Sequence, residues 1–183
     1  MTNNKFQNLI EKYIYDFKQI YISEVNSGQT TAELSFRPPL DNLFRTIPKI
    51  LKNNSVEVIF EPTAQKKSGR PDWRFHHSSS MGIYGYVEAK GFDPKKTIDW
   101  KPHSNQIKKY LTLGYKIIFT DGIDFFFFDP KNPDKPRSFS LIKKPVKIKA
   151  EWKISKSISE IESFFSQFFL EPSSRKITDE QLI

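Results

Sequence analysis

Apolar residues near the N-terminus recur at steps of three and four, which is the spacing of one face of a helix. The pattern predicts an amphipathic helix over about 4–22, and its apolar face consists of Phe6, Leu9, Ile10, Tyr13, Ile14 and Phe17. The pair Pro38-Pro39 predicts the start of a second helix, because proline is tolerated in a first turn. Pro48 is expected to kink or split that helix, since proline removes an internal hydrogen bond.

Short runs of β-branched and aromatic residues predict strands at 56–60, 72–76, 83–89, 115–120 and 125–128. The second and third of these form a hairpin across a serine-rich turn. A helix from a Ser104 N-cap to about Leu113 separates the third strand from the fourth. This strand–helix–strand order predicts that the third and fourth strands pair in parallel through a right-handed connection.

In the C-terminal part of the chain, apolar and charged residues first alternate strictly, and apolar residues then recur at helical spacing. Residues from Val146 to Ile154 alternate between apolar and charged, which predicts a half-exposed strand. Ser157 or Ser159 is expected to cap a final helix whose phenylalanines point inward. The segment 131–137 is expected to be a loop.

The composition fits one globular α/β domain. The chain has 183 residues, of which 37% are hydrophobic, and we expect a core of about 30–130 with extensions at 4–22 and 146–170. The net charge of +8 favours a polyanionic partner such as nucleic acid or an anionic membrane surface. The absence of cysteine excludes a disulfide framework. No signal peptide or membrane-spanning run is recognisable, so we expect a cytoplasmic protein without a membrane partner.

Three charged residues are predicted to converge at one end of the hairpin. Asp72 opens one strand, whereas Glu88 and Lys90 close the next. Because side chains alternate along a strand, Glu88 and Lys90 share a face. The hairpin returns Asp72 to the same end, where two carboxylates meet one ammonium. The alternative interpretation is a structural ion-pair cluster at a strand end.

These groups are the ones that metal-dependent phosphodiester hydrolysis requires. Mg²⁺ takes one or two carboxylates and keeps water and phosphate in its other positions; we expect Mn²⁺ to substitute for it. Lys90 can orient the attacking water and stabilise the developing negative charge. A zinc site is not expected, because His76 and His77 are adjacent on a strand and face opposite ways.

A similar pattern recurs nearer the C-terminus, where Asp134 precedes Glu151-Trp-Lys153. Asp134 lies in a proline-rich loop, and Glu151 and Lys153 lie on the charged face of the alternating segment. Glu88 instead lies in a run that is typical of a strand buried on both faces, where an acid costs free energy unless a group pairs with it. The set around Asp72 and Glu88 is therefore preferred.

Gln106 and Tyr110 are candidates for supporting roles. They are four residues apart on the predicted helix and share a face, which a right-handed crossover lays over Glu88. Gln106 can then contact phosphate or a metal-bound water. The alternative is a surface glutamine beside a half-buried tyrosine.

Several charged residues nearby are candidate contacts to a nucleic-acid backbone. Lys66, Lys67 and Arg70 flank the active-site loop, and a solvated loop explains them nearly as well. Arg37 can contact phosphate or pair with Glu33 one turn away. Glu33 can itself belong to a helix-capping box rather than to an active site.

The order of these motifs resembles the PD-(D/E)xK nuclease superfamily, and in particular the N-terminal cleavage domain of type IIG and type ISP restriction–modification enzymes. The resemblance covers about 30–128 and rests on Thr31-Ala-Glu33-Leu-Ser-Phe-Arg37, Glu61-Pro, Gly69-Arg-Pro-Asp72, Glu88-Ala-Lys90, Gln106-x-x-x-Tyr110 and Thr120-Asp-Gly122. It implies a restriction-endonuclease-like fold, with a mixed sheet of four or five strands flanked by helices.

The resemblance also implies roles for individual residues. Asp72 and Glu88 would bind Mg²⁺, and Lys90 would be catalytic. Gln106 would support them, and Glu33 would point its carboxylate towards the same site. Tyr110 is a further candidate DNA contact, in addition to Lys66, Lys67, Arg70 and Arg37.

By the same resemblance, the expected function is that of a Mg²⁺-dependent DNA endonuclease, the cleavage domain of a restriction–modification system. Larger members of the family carry a methyltransferase and a target-recognition module, which would be fused or separate partners here. One such site cuts one strand, so double-strand cleavage would need a homodimer or a partner. The alternatives are a standalone repair or junction nuclease and a non-catalytic nucleic-acid-binding scaffold.

Overall fold

The computed structural model describes residues 2–28, 33–61, 70–80, 82–170 and 172–173. Within these ranges the helices are α1 (Thr2–Asn26), α2 (Arg37–Ile50), α3 (Ser104–Thr112) and α4 (Ile158–Phe168). Short 3-10 turns at Glu33–Phe36 and Lys101–His103 precede α2 and α3. The strands are β1 (Val56–Phe60), β2 (Trp73–His77), β3 (Ile83–Ala89), β4 (Ile117–Thr120), β5 (Asp124–Phe128) and β6 (Arg137–Ser140).

The six strands form one mixed sheet in the order β1-β2-β3-β4-β5-β6. β3 and β4 pair in parallel, and all other neighbours pair antiparallel. α3 lies between β3 and β4 in the chain and provides the crossover that a parallel pair requires. The α/β fold, the hairpin and the parallel pair are confirmed. The expected number of four or five strands is wrong, because β6 adds a further edge strand.

Helices cover the sheet on both faces. α1, α2 and α4 pack on one face, where they meet Phe75, Val87 and Phe125. Of the described helices, only α3 packs on the other face, against Tyr86 and Phe119. β3 lies between the two layers, so six of its seven residues are buried. A charged group near the end of β3 therefore lies where water is scarce, and it needs a partner.

Two helices differ from the expected boundaries. α1 is longer than predicted, although its apolar face packs on the core as expected. The expected split at Pro48 is wrong, because α2 begins with prolines in its first turn and continues through Pro48 to Ile50. The buried face of α2 includes Leu43 and Ile47, and this packing outweighs the single hydrogen bond that Pro48 removes. None of the helices in the described ranges is long and apolar enough to cross a bilayer.

The caps of α3 and α4 also test the sequence patterns. Ser104 is the first residue of α3 rather than its N-cap, a position that His103 occupies without a side-chain hydrogen bond. Ser157 is confirmed as the cap of α4. Its Oγ accepts the Glu160 N–H at 3.3 Å, and the Glu160 carboxylate accepts the Ser157 N–H at 3.1 Å. These reciprocal bonds form a capping box.

The predicted strand from Val146 to Ile154 is wrong. The segment is irregular, with one turn at 148–149, and Ile154 makes an isolated bridge to Ile142. Its apolar residues Val146, Ile148 and Trp152 still pack on the core. The alternation therefore reflects burial of one side of an irregular segment and not pairing with a neighbouring strand.

The predicted loop at 131–137 ends one residue early, where β6 begins. β6 pairs antiparallel with β5 along its whole length. Only Phe139 of its four residues is buried, so the strand carries too little apolar pattern to be recognised.

Two aspartates and a lysine form a buried charged cluster at the turn between β4 and β5. Lys144 Nζ lies 2.5 Å from Asp121 Oδ2 and 2.7 Å from Asp124 Oδ2, and all three side chains are at most 4% exposed. Asp121 Oδ1 also accepts the N–H groups of Ile123 and Asp124, at 3.0 and 2.7 Å. Asp121 thus orders the tight turn in the Thr120-Asp-Gly122 motif.

The same cluster fixes the loop that follows β3. Lys144 Nζ donates to the Lys96 carbonyl at 3.1 Å and lies 4.8 Å from the centre of the Phe92 ring. The Ile98 N–H donates to Asp124 Oδ2 at 3.1 Å. Charged groups that are excluded from water therefore hold this loop against the strand ends.

Two carboxylates share one ammonium in this cluster, which leaves a net negative charge when all three groups are ionised. Burial raises the pKa of Asp121 to about 6; Lys144 opposes this increase and the Asp124 charge adds to it. Because the folded state binds this proton more tightly than the unfolded state, Asp121 contributes stability below its unfolded pKa. That contribution is lost as the pH rises through about 6.

We expect Asp121→Asn to remove this pH dependence. The part of the unfolding free energy that depends on Asp121 decreases by about 2–3 kcal/mol between about pH 4 and about pH 7 in the wild type. Asparagine keeps an oxygen that can accept the N–H groups of the turn. Urea unfolding across this pH range measures the effect, with the exposed Asp134→Asn as control. Parallel pH profiles for Asp121→Asn and the wild type would contradict the prediction.

Candidate active site

Glu88 lies near the end of β3, and Lys90 follows directly after the strand. The Glu88 side chain is 8% exposed, and its Oε1 lies 2.6 Å from Lys90 Nζ. Its Oε2 is buried and has no hydrogen-bond partner in the described part of the chain. Lys90 therefore compensates one carboxylate oxygen, whereas the other remains open to a ligand.

Asp72 lies just before β2, beside the residues that surround Glu88. Its Oδ2 accepts the Ala89 N–H at 2.8 Å, and its own N–H donates to the Val87 carbonyl at 3.1 Å. The predicted strand 72–76 is therefore shifted by one residue, but the hairpin still returns Asp72 to the end of β3. Hydrogen bonds on both sides of Glu88 in the chain fix the relative position of the two acids.

Arg37 reaches the same strand end from the first turn of α2. Its Nη2 lies 2.6 Å from Asp72 Oδ1, and its Nη1 lies 2.7 Å from Glu61 Oε1. Arg70 Nη2 lies 3.1 Å from Glu61 Oε2. Arg37 therefore binds carboxylates at the ends of β1 and β2, and its predicted pairing with Glu33 stays a prediction. The side chain of Glu33 lies outside the described part of the structure.

Tyr110 of α3 lies over β3, where its ring centre is 5.0 Å from that of Tyr86. Burial raises its pKa well above the usual value, and the nearby charge of Glu88 contributes to this increase. The Tyr110 hydroxyl is buried and has no partner among the described residues. Gln106 lies one turn earlier in α3 and is half-buried, and its side chain makes no hydrogen bond with the described residues. The structure thus brings α3 over Glu88, as the crossover predicts.

The remaining candidates lie elsewhere or outside the described residues. Lys66 and Lys67 fall outside the described ranges. Glu151 and Lys153 are more than three-quarters exposed and pair with each other at 3.3 Å. Asp134 is exposed as well. The C-terminal repeat of the pattern therefore forms no buried carboxylate cluster.

Sequence reasoning missed two residues beside this site. Tyr86 and Arg74 are cross-strand partners on β3 and β2, and they share the face of the sheet that carries Glu88. Alternation from Asp72 to Arg74 could have identified the arginine, because residues two apart on a strand face the same way. The tyrosine gave no signal that distinguished it from a core residue.

The donor set of the site fits a hard divalent cation better than zinc. In the part of the chain that the structure describes, no group of three or more histidines, cysteines, aspartates and glutamates could hold a metal. His76 instead lies 3.0 Å from Glu57. Asp72 and Glu88 provide two carboxylates, of which the open Glu88 Oε2 is the available oxygen. Two carboxylates suit Mg²⁺, which keeps several waters.

A cavity of about 640 Å³ lies between α3 and the residues that follow β5. Trp100, Lys108 and Phe128 are among its lining residues, and none of the residues predicted for the active site contributes to it. This cavity therefore does not belong to the carboxylate cluster.

Comparisons with known proteins support the fold. No family model matches the chain, and no curated protein matches it. The chain is similar to one in a solved structure described as a cryo-electron-microscopy structure of a DrdV–DNA complex, with a TM-score of 0.54 and 21% sequence identity. The similarity covers 90% of this chain and 14% of that one, so this chain spans a small part of the other's length.

We expect Arg37→Gln to lower the free energy of unfolding by about 2–3 kcal/mol, because it removes a cation that lies 2.6 Å from the largely buried Asp72 carboxylate. Arg45→Gln is the matched control. Arg45 pairs with Asp41 at 2.7 Å, but its side chain is 44% exposed, so its loss should cost less than about 1 kcal/mol. Urea unfolding at neutral pH measures both variants. Equal decreases in the free energy of unfolding of the two variants would contradict the prediction that the Arg37–Asp72 pair contributes more than an exposed pair.

Proposed function

We propose that this protein is a Mg²⁺-dependent DNA endonuclease of the PD-(D/E)xK type. The observation that carries the proposal is the open Oε2 of Glu88. It is a buried carboxylate oxygen without a partner, on a side chain whose other oxygen binds Lys90 at 2.6 Å. A buried acid with one vacant oxygen is costly unless a ligand completes it. A divalent cation supplies that completion.

Glu88 and Asp72 are the residues that would hold the metal. When bound, Mg²⁺ polarises a phosphate and lowers the pKa of a water ligand. Asp72 is oriented for this role by the Ala89 N–H and by Arg37, each of which leaves further lone pairs on its carboxylate. We expect Mn²⁺ to bind in the same place.

Lys90 has a second role in the proposed reaction. Its ammonium lies beside Glu88 at the end of a buried strand, so it can donate a hydrogen bond to the attacking water or to a phosphate oxygen as negative charge develops. Its N–H donates to the Thr120 carbonyl at 2.8 Å, which fixes its backbone against β4. Gln106, one turn before Tyr110, would support the phosphate or a water from the α3 side.

DNA is the proposed substrate. The chain carries a net charge of +8, which favours a polyanion. The similar solved structure is of a DrdV–DNA complex. That chain is much longer, which is consistent with a cleavage domain that works beside a methyltransferase and a target-recognition module, fused or separate. One set of these residues cuts one strand, so we propose a homodimer or a partner for double-strand cleavage.

The test is nicking of supercoiled plasmid DNA by the purified chain with Mg²⁺. Asp72→Asn, Glu88→Gln and Lys90→Met should each lower the rate at least about 100-fold, since each removes a group that acts on the reacting phosphate. Glu151→Gln and Lys153→Met are matched controls, because these residues form the same acid–lysine pattern on the surface. Both controls should cut like the wild type.

A second measurement separates metal binding from cleavage. Mg²⁺ should raise the melting temperature of the wild type, because it binds the folded state alone, and it should raise that of Glu88→Gln less. Equal nicking by Glu88→Gln and the wild type would refute the proposed role of this site. Salt-dependent DNA binding without metal-dependent cleavage would instead support a nucleic-acid-binding scaffold.

A further inference from the structure

Arg74 is a cation on the same face of the sheet as the proposed active site. It lies on β2 opposite Tyr86 of β3 and Ile59 of β1. Tyr86 is two residues before Glu88, so their side chains share a face. Arg74 therefore lies about 7 Å along the sheet from Glu88, at the rise of about 3.4 Å per residue.

Arg74 forms no salt bridge with the residues that the structure describes. Its Nε is buried and makes no hydrogen bond, and it forms no ion pair with any residue in the described ranges. The side chain as a whole is half-buried. A guanidinium offers five donors in a planar fork, and leaving buried donors unpaired costs free energy. An anionic ligand would satisfy them.

The arginines predicted from the sequence are committed elsewhere. Arg37 binds Asp72 and Glu61, and Arg70 binds Glu61. Their charges are largely compensated by the carboxylates of Asp72 and Glu61. Arg74 differs, because its cross-strand neighbours Tyr86 and Ile59 carry no charge.

The face of the sheet around Arg74 is partly exposed. Trp73 and Phe75 face the helical layer and are buried, whereas Arg74 and His76 face the other way and are half-exposed. The neighbouring Ile59 of β1 is also half-exposed. A ligand can therefore reach the guanidinium across β1 and β2.

We propose that Arg74 binds a DNA phosphate next to the one that is cleaved, and so sets the register of the strand in the site. This inference rests on the proposed function. Arg74 lies about 7 Å from Glu88 along the strand direction and on the neighbouring strand. The proposal therefore places Arg74 on a phosphate beside the one that the carboxylates would contact. A planar guanidinium can bind two phosphate oxygens at once.

The test compares Arg74→Gln with Arg137→Gln. Arg137 is exposed, lies on the far edge strand β6 and pairs in register with Phe127, on the opposite face of the sheet. Each variant removes one positive charge, so the net charge changes equally. Binding to a fluorescent DNA duplex is measured by anisotropy in EDTA, where no cleavage occurs, over a range of salt concentrations.

Arg74→Gln should weaken binding about 5- to 20-fold and lower the slope of log K against log salt by about 0.9, the value for one lost phosphate contact. Arg137→Gln should leave both quantities unchanged. Arg74→Lys should keep the slope and lose part of the affinity, because lysine keeps the charge but not the fork. Melting temperatures report whether the variants fold.

The outcomes separate this inference from the proposed function. Wild-type cleavage together with equal binding by Arg74→Gln and Arg137→Gln would overturn the role of Arg74 and leave the nuclease intact. DNA binding without cleavage would refute the nuclease, and the salt slopes would still decide the role of Arg74. If Arg74→Gln does not fold, Arg74→Lys decides: binding as tight as that of the wild type would overturn the proposal, which requires a partial loss of affinity.

Discussion

Charge compensation at the ends of strands that are buried on both faces is the constraint on which this structure depends. A carboxylate in such a position is poorly hydrated and needs a cation or several donors. The chain meets this requirement in two ways. At the turn after β4, Lys144 comes from beyond β6 and closes a cluster with Asp121 and Asp124. At the end of β3, Lys90 compensates one oxygen of Glu88 and leaves the other open.

The closed cluster supports the open one. The Lys90 N–H donates to the Thr120 carbonyl at 2.8 Å, directly before Asp121. The loop that continues from Lys90 is tied back by Asp124, which accepts the Ile98 N–H. The proposed catalytic edge is therefore anchored on both sides by buried charged groups. Such anchoring keeps donors and carboxylates in place before a substrate binds, which is the condition for electrostatic stabilisation of a transition state.

The sequence predicts the features that local pattern controls. Strand β3 and the hairpin follow from β-branched runs, and the burial of Glu88 follows from the apolar residues around it. The pairing of Arg37 with Asp72 could not be predicted, because Asp72 is 35 residues away in the chain and meets Arg37 only in the folded protein. The strand prediction for Val146 to Ile154 failed for a related reason. The alternation of this segment reflects burial of one side, whereas strand formation also requires the edge of a neighbouring strand with which to pair. Lys144 could not be predicted either, since it meets Asp121 only in the folded chain.

The balance of charge in the site explains why a phosphate would need more than the residues that the motifs identify. Among the described ion pairs at the end of β3, the carboxylates of Glu61, Asp72 and Glu88 are matched by Arg37, Arg70 and Lys90. Within these described pairs, three negative charges are balanced by three positive charges, so the pairs themselves offer a polyanion no excess positive charge. A divalent cation on Glu88 would supply part of that charge, and an arginine outside the matched set would supply the rest. In the proposed nuclease, the motif residues would account for bond cleavage, whereas retention of the DNA strand would depend on a cation beyond them.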